Sequence, residues 1–191
     1  MTDLLLHACC GPCSSGVVPA WRERGVEPVG WFENPNVQPA VEFERRLESM
    51  RRYGRAAGLE LIVPERGEEA PAWRAWRQDL REAAPDQRCA VCLGLRLGAA
   101  GAAARDLGFA RFSTTLTVSP YQHHGLIRAA GESAADEHGV DFVYLDARGR
   151  FRDTYAESRR LELYRQPYCG CAASKWDAWH ELRERRRRKT A

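Results

Sequence analysis

Asp3-Leu-Leu-Leu-His-Ala8 runs straight into Cys9-Cys10-Gly-Pro-Cys13, and the reading of that stretch decides the fold. A short apolar run that stops at a cysteine-rich turn, followed by a segment able to be helical up to Arg24 before Gly25, reads as strand, loop and helix. The order then repeats. Val26-Glu-Pro-Val-Gly-Trp-Phe32 reads as a second strand ending in the turn-rich Glu33-Asn-Pro-Asn-Val-Gln-Pro39, after which Phe43, Leu47, Met50, Tyr53 and Ala57 recur at helical spacing. Leu59-Glu-Leu-Ile-Val63 supplies a third strand, and a helix is expected around Trp73 and Trp76. After Arg88-Cys-Ala-Val-Cys92 the stripe Leu93, Leu97, Ala100, Ala104, Leu107 runs to Gly108, which puts the cysteine pair at a helix N-terminus. Phe109 to Ser113 begins a strand, His124 to His138 form a helix closed by Gly139, and a strand from Asp141 to Leu145 precedes a helix from Asp153 to Leu163. Strands alternating with helices predict an α/β fold: a parallel sheet covered on both faces, its ligand crevice beyond the carboxyl ends of the strands. A single domain over residues 1–191 is expected, with a helical C-terminal part.

The N-terminus lacks a basic leader and an apolar segment long enough to span a membrane, so the expected compartment is the cytoplasm, with no membrane partner. In a reducing compartment seven cysteines are not a disulfide scaffold, and their grouping in three short segments points to metal ligation or thiol redox chemistry. Net charge is +3, but Arg183 to Lys189 alone carries six positive charges and one negative, which leaves the rest near −2. The basicity is a property of the tail, about 183–191, and suits either a solvated end or a polyanion such as RNA.

Cys9, Cys10 and Cys13 on one side, and Cys89 and Cys92 on the other, lie at loop-to-helix junctions that a parallel sheet can bring to one edge, enough for a four-thiolate site. Structural zinc is one reading. An iron–sulfur cluster is the other, because the side chains of adjacent cysteines are expected to diverge and to suit the separate corners of a cubane. Tyr168-Cys-Gly-Cys171 has a single glycine between its thiols, a spacing fit for a small, reducible disulfide or for two further metal ligands.

Five stretches carry a resemblance: Leu6-His-Ala-Cys-Cys-Gly-Pro-Cys13, Asn34-Pro-Asn36, Arg88-Cys-Ala-Val-Cys92, Ser113-Thr-Thr-Leu-Thr-Val-Ser-Pro-Tyr121 and Leu163-Tyr-Arg-Gln-Pro-Tyr-Cys-Gly-Cys171. Running in order from residue 4 to about 175, they make the chain similar to epoxyqueuosine reductases of the QueH family. The resemblance implies a Rossmann-like fold of the HUP type and reduction of the epoxide on a tRNA wobble base to an alkene, the last step of queuosine synthesis. It implies that Cys9, Cys10, Cys89 and Cys92 hold a [4Fe–4S] cluster and that Cys169 and Cys171 form a redox-active disulfide. Cys13 is left over, free to ligate an additional mononuclear iron.

Epoxide-to-alkene conversion consumes two electrons and two protons, so it needs an external electron donor, whose identity the sequence does not give, and an acid. His7, Tyr121 and Tyr168 adjoin the motifs and are the candidate proton donors, each with a purely structural reading beside it. For tRNA, the basic tail can meet phosphates, and Trp31, Phe32 and Asn34-Pro-Asn36 are expected on a loop able to hold an extruded base. The other tryptophans, Trp21, Trp73, Trp76, Trp176 and Trp179, read as helical residues for which burial is natural. Two rivals stand apart: an ATP-using relative, for which Cys-Cys-Gly-Pro-Cys makes a poor phosphate cradle, and a zinc module that only binds RNA.

Overall fold

A computed structural model describes residues 4–65, 71–79 and 83–190. Five parallel strands, β1 (Leu4–His7), β2 (Val29–Trp31), β3 (Leu61–Ile62), β4 (Arg111–Thr114) and β5 (Asp141–Phe142), form one sheet in the order β3-β2-β1-β4-β5. The helices are α1 (Gly11–Arg22), α2 (Ala40–Ala57), α3 (Pro71–Asp79), α4 (Pro85–Asp106), α5 (His124–His138), α6 (Asp153–Arg160) and α7 (Ala172–Thr190). The βα alternation read from the sequence is therefore the architecture.

Strand β1 is central, and the alternation of its side chains divides the core. Leu4 and Leu6 point into a layer with Val17 and Val18 of α1 and Phe43, Leu47 and Met50 of α2. Leu5 points into the opposite layer with Leu93, Leu97 and Ala100 of α4 and Ile127 and Ala134 of α5. All four residues of β1 are buried, which is why this strand reads as an unbroken apolar run and not as an alternating one.

The edge strands are shorter than the sequence pattern, 59–63 and 141–145, implies. Leu59 cannot join the ladder because its N–H closes α2 on the carbonyl of Gly54 (2.9 Å). Helix α6 likewise stops at Arg160, where Glu162 takes φ 50° and the Leu163 N–H turns back to the Ser158 carbonyl (2.8 Å). Trp21, Trp73 and Trp76 are buried as expected, whereas Trp176 and Trp179 are exposed on α7, correcting the reading that burial is natural there. The basic run continues α7 as helix, although most of its side chains lie outside the described ones. Among the described residues no helix is long and apolar enough to cross a membrane.

The strand order reverses between β1 and β4, so the loop after β1 opens at the switch point where α/β sheets place their ligands. Close approach holds that loop. A Cβ on Gly11 would stand 2.4 Å from the backbone oxygen of Ser49 in α2, so only glycine lets α1 start there. Replacing it, Gly11→Ala, is expected to push α1 from α2 and to destabilise the fold by about 1–3 kcal/mol, read as a lower midpoint in urea unfolding. An unchanged midpoint would show that the α1–α2 contact does not constrain the loop.

Candidate active site

Three strand ends pin the cysteine turn. The Ala8 N–H donates to the Trp31 carbonyl (2.8 Å), Asn34 Nδ2 donates to the Ala8 carbonyl (2.9 Å), and the Cys9 N–H donates to Thr115 Oγ1 (3.0 Å). Cys10 is the N-cap of α1, and the Cys13 N–H donates to its sulfur (3.4 Å). Cys9, Cys10 and Cys13 place their sulfurs within 4.8 Å of one another, a group that could hold a metal ion. The two adjacent sulfurs are only 3.8 Å apart, so these side chains converge, contrary to the divergence expected of neighbours. Hydrogen bonds from Cys13 and Cys9 hold the Cys10 thiol well below its usual range, and the same sharing pushes Cys9 up to about 12 and Cys13 upward too. Cys10 is the sulfur towards which the other two donate.

Cys89 and Cys92 sit in the second turn of α4, which starts at Pro85, and so do not lie at the helix N-terminus that the sequence implied. Their thiols are pushed up, chiefly by burial, that of Cys92 to about 12. Cys92 packs with Trp73, Trp76 and Cys171, and Cys169 lies against the same cluster. Cys169 and Cys171 are free thiols, with Ser174 Oγ at 3.1 Å from Cys169 Sγ and 3.4 Å from Cys171 Sγ. The hydrogen bond from Cys171, helped by Ser174, holds Cys169 down to about 5, while Cys171 is pushed upward by its partner. Gly170 takes φ 137°, and a Cβ there would stand 3.0–3.1 Å from Val37, Arg46 and Asn36, which explains the glycine of Cys-Gly-Cys.

Two buried arginines tie these groups together. Arg46 is 1% exposed, pairs with Glu42 (2.8 Å), and donates to the Cys169 carbonyl (2.8 Å) and the Tyr168 carbonyl (3.1 Å). The second carboxylate oxygen of Glu42 accepts from Tyr164 (2.6 Å), and the Arg46 cation acts on Cys10. Arg96 is 4% exposed, donates to Asn34 Oδ1 (2.7 Å), and acts electrostatically on Cys9, Cys92 and Cys169. Among the described residues it has no carboxylate within salt-bridge distance, and its Nε is buried without a partner. A buried cation left uncompensated costs several kcal/mol, and the group beside Arg96 that is held low as an anion is Cys169. The sequence carries a signal for both arginines: each occupies an apolar stripe, Arg46 three residues after Phe43 and four before Met50, Arg96 three after Leu93 and four before Ala100. Neither was singled out from the sequence.

His7 is buried between Thr114 and Arg96. Its Nδ1 lies 2.8 Å from Thr114 Oγ1, and its Nε2 faces Arg96 Nη2 at 3.5 Å. Burial first, and the Arg96 cation second, hold His7 well below the usual imidazole range, so the ring is neutral near pH 7. Tyr121 is 81% exposed and stands edge-on to Phe151, whereas Tyr168 donates to the Gln38 carbonyl (2.8 Å) beside Cys169. Trp31 and Phe32 are buried in the two core layers and cannot present a ring from a loop, which corrects that part of the base-holding reading. Asn36 is fully buried, and neither its Nδ2 nor its Oδ1 has a partner.

The profile of the epoxyqueuosine reductase QueH family matches residues 4–177. The chain belongs to the QueH family. Among curated proteins named epoxyqueuosine reductase QueH, that of Dehalococcoides mccartyi is 36% identical, covering 91% of this chain and 93% of the relative. That of Thermotoga maritima is 31% identical and covers 91% of each. The fold, with a TM-score of 0.55 at 12% identity, is that of a solved predicted subunit of tRNA methyltransferase from Methanocaldococcus jannaschii, covering 82% of this chain and 75% of that one. QueH membership makes this an oxidoreductase family and queuosine synthesis its setting.

Metal-free protein is expected to alkylate first at Cys169, with a midpoint near pH 5; the thiolate is present above that pH and lost as pH falls through it. Cys171→Ala removes the donor that lowers it and should raise the midpoint towards the ordinary thiol value. A wild-type midpoint near 9, read by mass spectrometry of iodoacetamide-treated protein, would contradict the arrangement.

Proposed function

We propose that the chain reduces the epoxide of epoxyqueuosine at the wobble position of tRNA to the alkene of queuosine. One observation supports this most: Cys9, Cys10 and Cys13 bring their sulfurs within 4.8 Å of one another, and the buried Arg96, which among the described residues has no carboxylate at salt-bridge distance, acts on thiols of all three cysteine segments. The chemistry of Cys9, Cys10 and Cys13 suits a metal, because convergent cysteines beside fixed cations favour bound thiolate. In this reading Cys9, Cys10, Cys89 and Cys92 would hold a [4Fe–4S] cluster, and Cys13 would ligate an additional mononuclear iron. The metal group would supply single electrons and a Lewis acid for the epoxide oxygen.

The balance is set by Cys169 and Cys171. Oxidising a dithiol to its disulfide releases two electrons and two protons, and turning an epoxide into an alkene with loss of water consumes two of each. An external electron donor then returns the pair to dithiol. Ser174 and the Arg46 contacts to the carbonyls of 168 and 169 hold the pair in place. His7, neutral and fixed, keeps Arg96 turned towards the sulfurs and is a proton donor only through its Nδ1–H. Tyr121, exposed after β4 on the carboxyl edge of the sheet, and Tyr168, next to Cys169, are the other proton donors of this reading. The reaction would take place in the cytoplasm on tRNA. A zinc-only RNA module, the alternative without chemistry, would be colourless when purified without oxygen, whereas the iron–sulfur protein would be brown.

Reduced, anaerobic protein given tRNA bearing epoxyqueuosine should yield queuosine by nucleoside mass. Changes to residues that merely support metal ligands cost about 10- to 100-fold, and Cys89→Ser or Cys171→Ser should exceed that. Unimpaired variants would refute the assigned roles.

A further inference from the structure

Helix α7 leaves one face uncovered. Trp176, Trp179, His180 and Arg183 stand at i, i+3, i+4 and i+7, a single stripe along the helix. Trp176 is 63% exposed and Trp179 46%, although Trp21, Trp73 and Trp76 are all buried. The exposed groups touch in series: the Trp176 and Trp179 ring centroids are 5.6 Å apart and tilted, Trp176 and His180 meet edge to face at 4.6 Å, and the Arg183 guanidinium lies 4.6 Å over Trp179. The helix begins at Ala172, the residue after Cys171, and an ion pair between Arg88 of α4 and Asp177 ties down its first turns. At about 1.5 Å per residue the stripe covers roughly 6–17 Å from the redox loop.

We propose that the Trp176/Trp179/His180/Arg183 face of α7 is the RNA platform of this protein, on which unpaired bases of the tRNA loop stack while Arg183 and the basic run after it meet phosphates. The proposal rests on the tRNA reading above and adds the surface that takes the substrate. Its chemistry is that of single-strand binders, in which aromatic rings and cations share one track. A helix lying on a membrane segregates its cations to the face opposite its aromatics, and here Arg183 lies over Trp179 on the same stripe. A second copy would set Arg183 against its own kind, which repels. RNA is the partner whose charge complements the stripe.

Full-length protein is titrated with fluorescent tRNA carrying epoxyqueuosine over a salt series. Loss of one stacked base weakens binding by about 5- to 150-fold, so Trp176→Ala with Trp179→Ala should cost at least about 25-fold. The double Phe variant should restore most of the affinity. Arg183→Ala should lower the slope of log affinity against log salt by about 0.7. Wild-type affinity in the double Ala variant together with a wild-type salt slope in Arg183→Ala overturns the proposal; if wild-type protein still reduces the modified base, the enzymatic reading survives that failure. Wild-type protein that neither binds nor reduces this tRNA overturns both. The proposal also falls if RNA affinity is unchanged while the double Ala variant loses a dimer in sedimentation or its binding to phosphatidylserine vesicles.

Discussion

A buried guanidinium, that of Arg96, with no carboxylate at salt-bridge distance among the described residues, is the constraint around which this molecule is arranged. Arg96 is carried into the interior by the apolar face of α4, where its charge is offset by Asn34, by the lone pair of a neutral His7, and by sulfurs from three chain segments. Removing the Cys169 thiolate would leave that cation in low dielectric without its anion, at a cost of several kcal/mol, so fold and site depend on each other. Arg46 enters from α2 with a carboxylate partner. Its partner Glu42 satisfies one edge of the guanidinium, and the other edge grips the carbonyls of 168 and 169 that aim the Cys169/Cys171 pair.

Fixing cations before any metal arrives has a consequence for reactivity. Thiols beside them sit at opposed set points: Cys10 and Cys169 are held low, while Cys9, Cys92 and Cys171 are pushed high. In the first and the last group one sulfur is ready as an anion and its neighbour keeps a proton, whereas Cys89 and Cys92 are both pushed up. That division suits ligation at the first cluster and a dithiol couple at the last.

Much of this was legible in the sequence because it depends on local pattern. The order of strands and helices followed from Leu4–Leu6, from the stripe of α2 and from Gly139, and α5 spans the residues its periodicity marks. The cysteine segments stood out by composition. What escaped was set by long-range packing: where edge strands end, the convergence of the Cys9 and Cys10 sulfurs, and the burial of Trp31 and Phe32. The turn after β2 looked like a surface loop because Asn-Pro-Asn is ordinary turn chemistry, yet Asn34 bridges Ala8 and Arg96 inside the pocket. Arg46 and Arg96 were visible only as cations on apolar stripes, a signal that gains meaning once the helices are packed.

In the proposed reading the thiols after β1 and those on α4 share one metal site. Iron and acid-labile sulfide per chain, measured after anaerobic reconstitution of the wild type and of the single Ser variants of Cys9, Cys10, Cys89 and Cys92, decide whether they do. Each of the four variants should lose metal. Loss confined to the Cys9 and Cys10 variants, with Cys89→Ser and Cys92→Ser fully loaded, would contradict it.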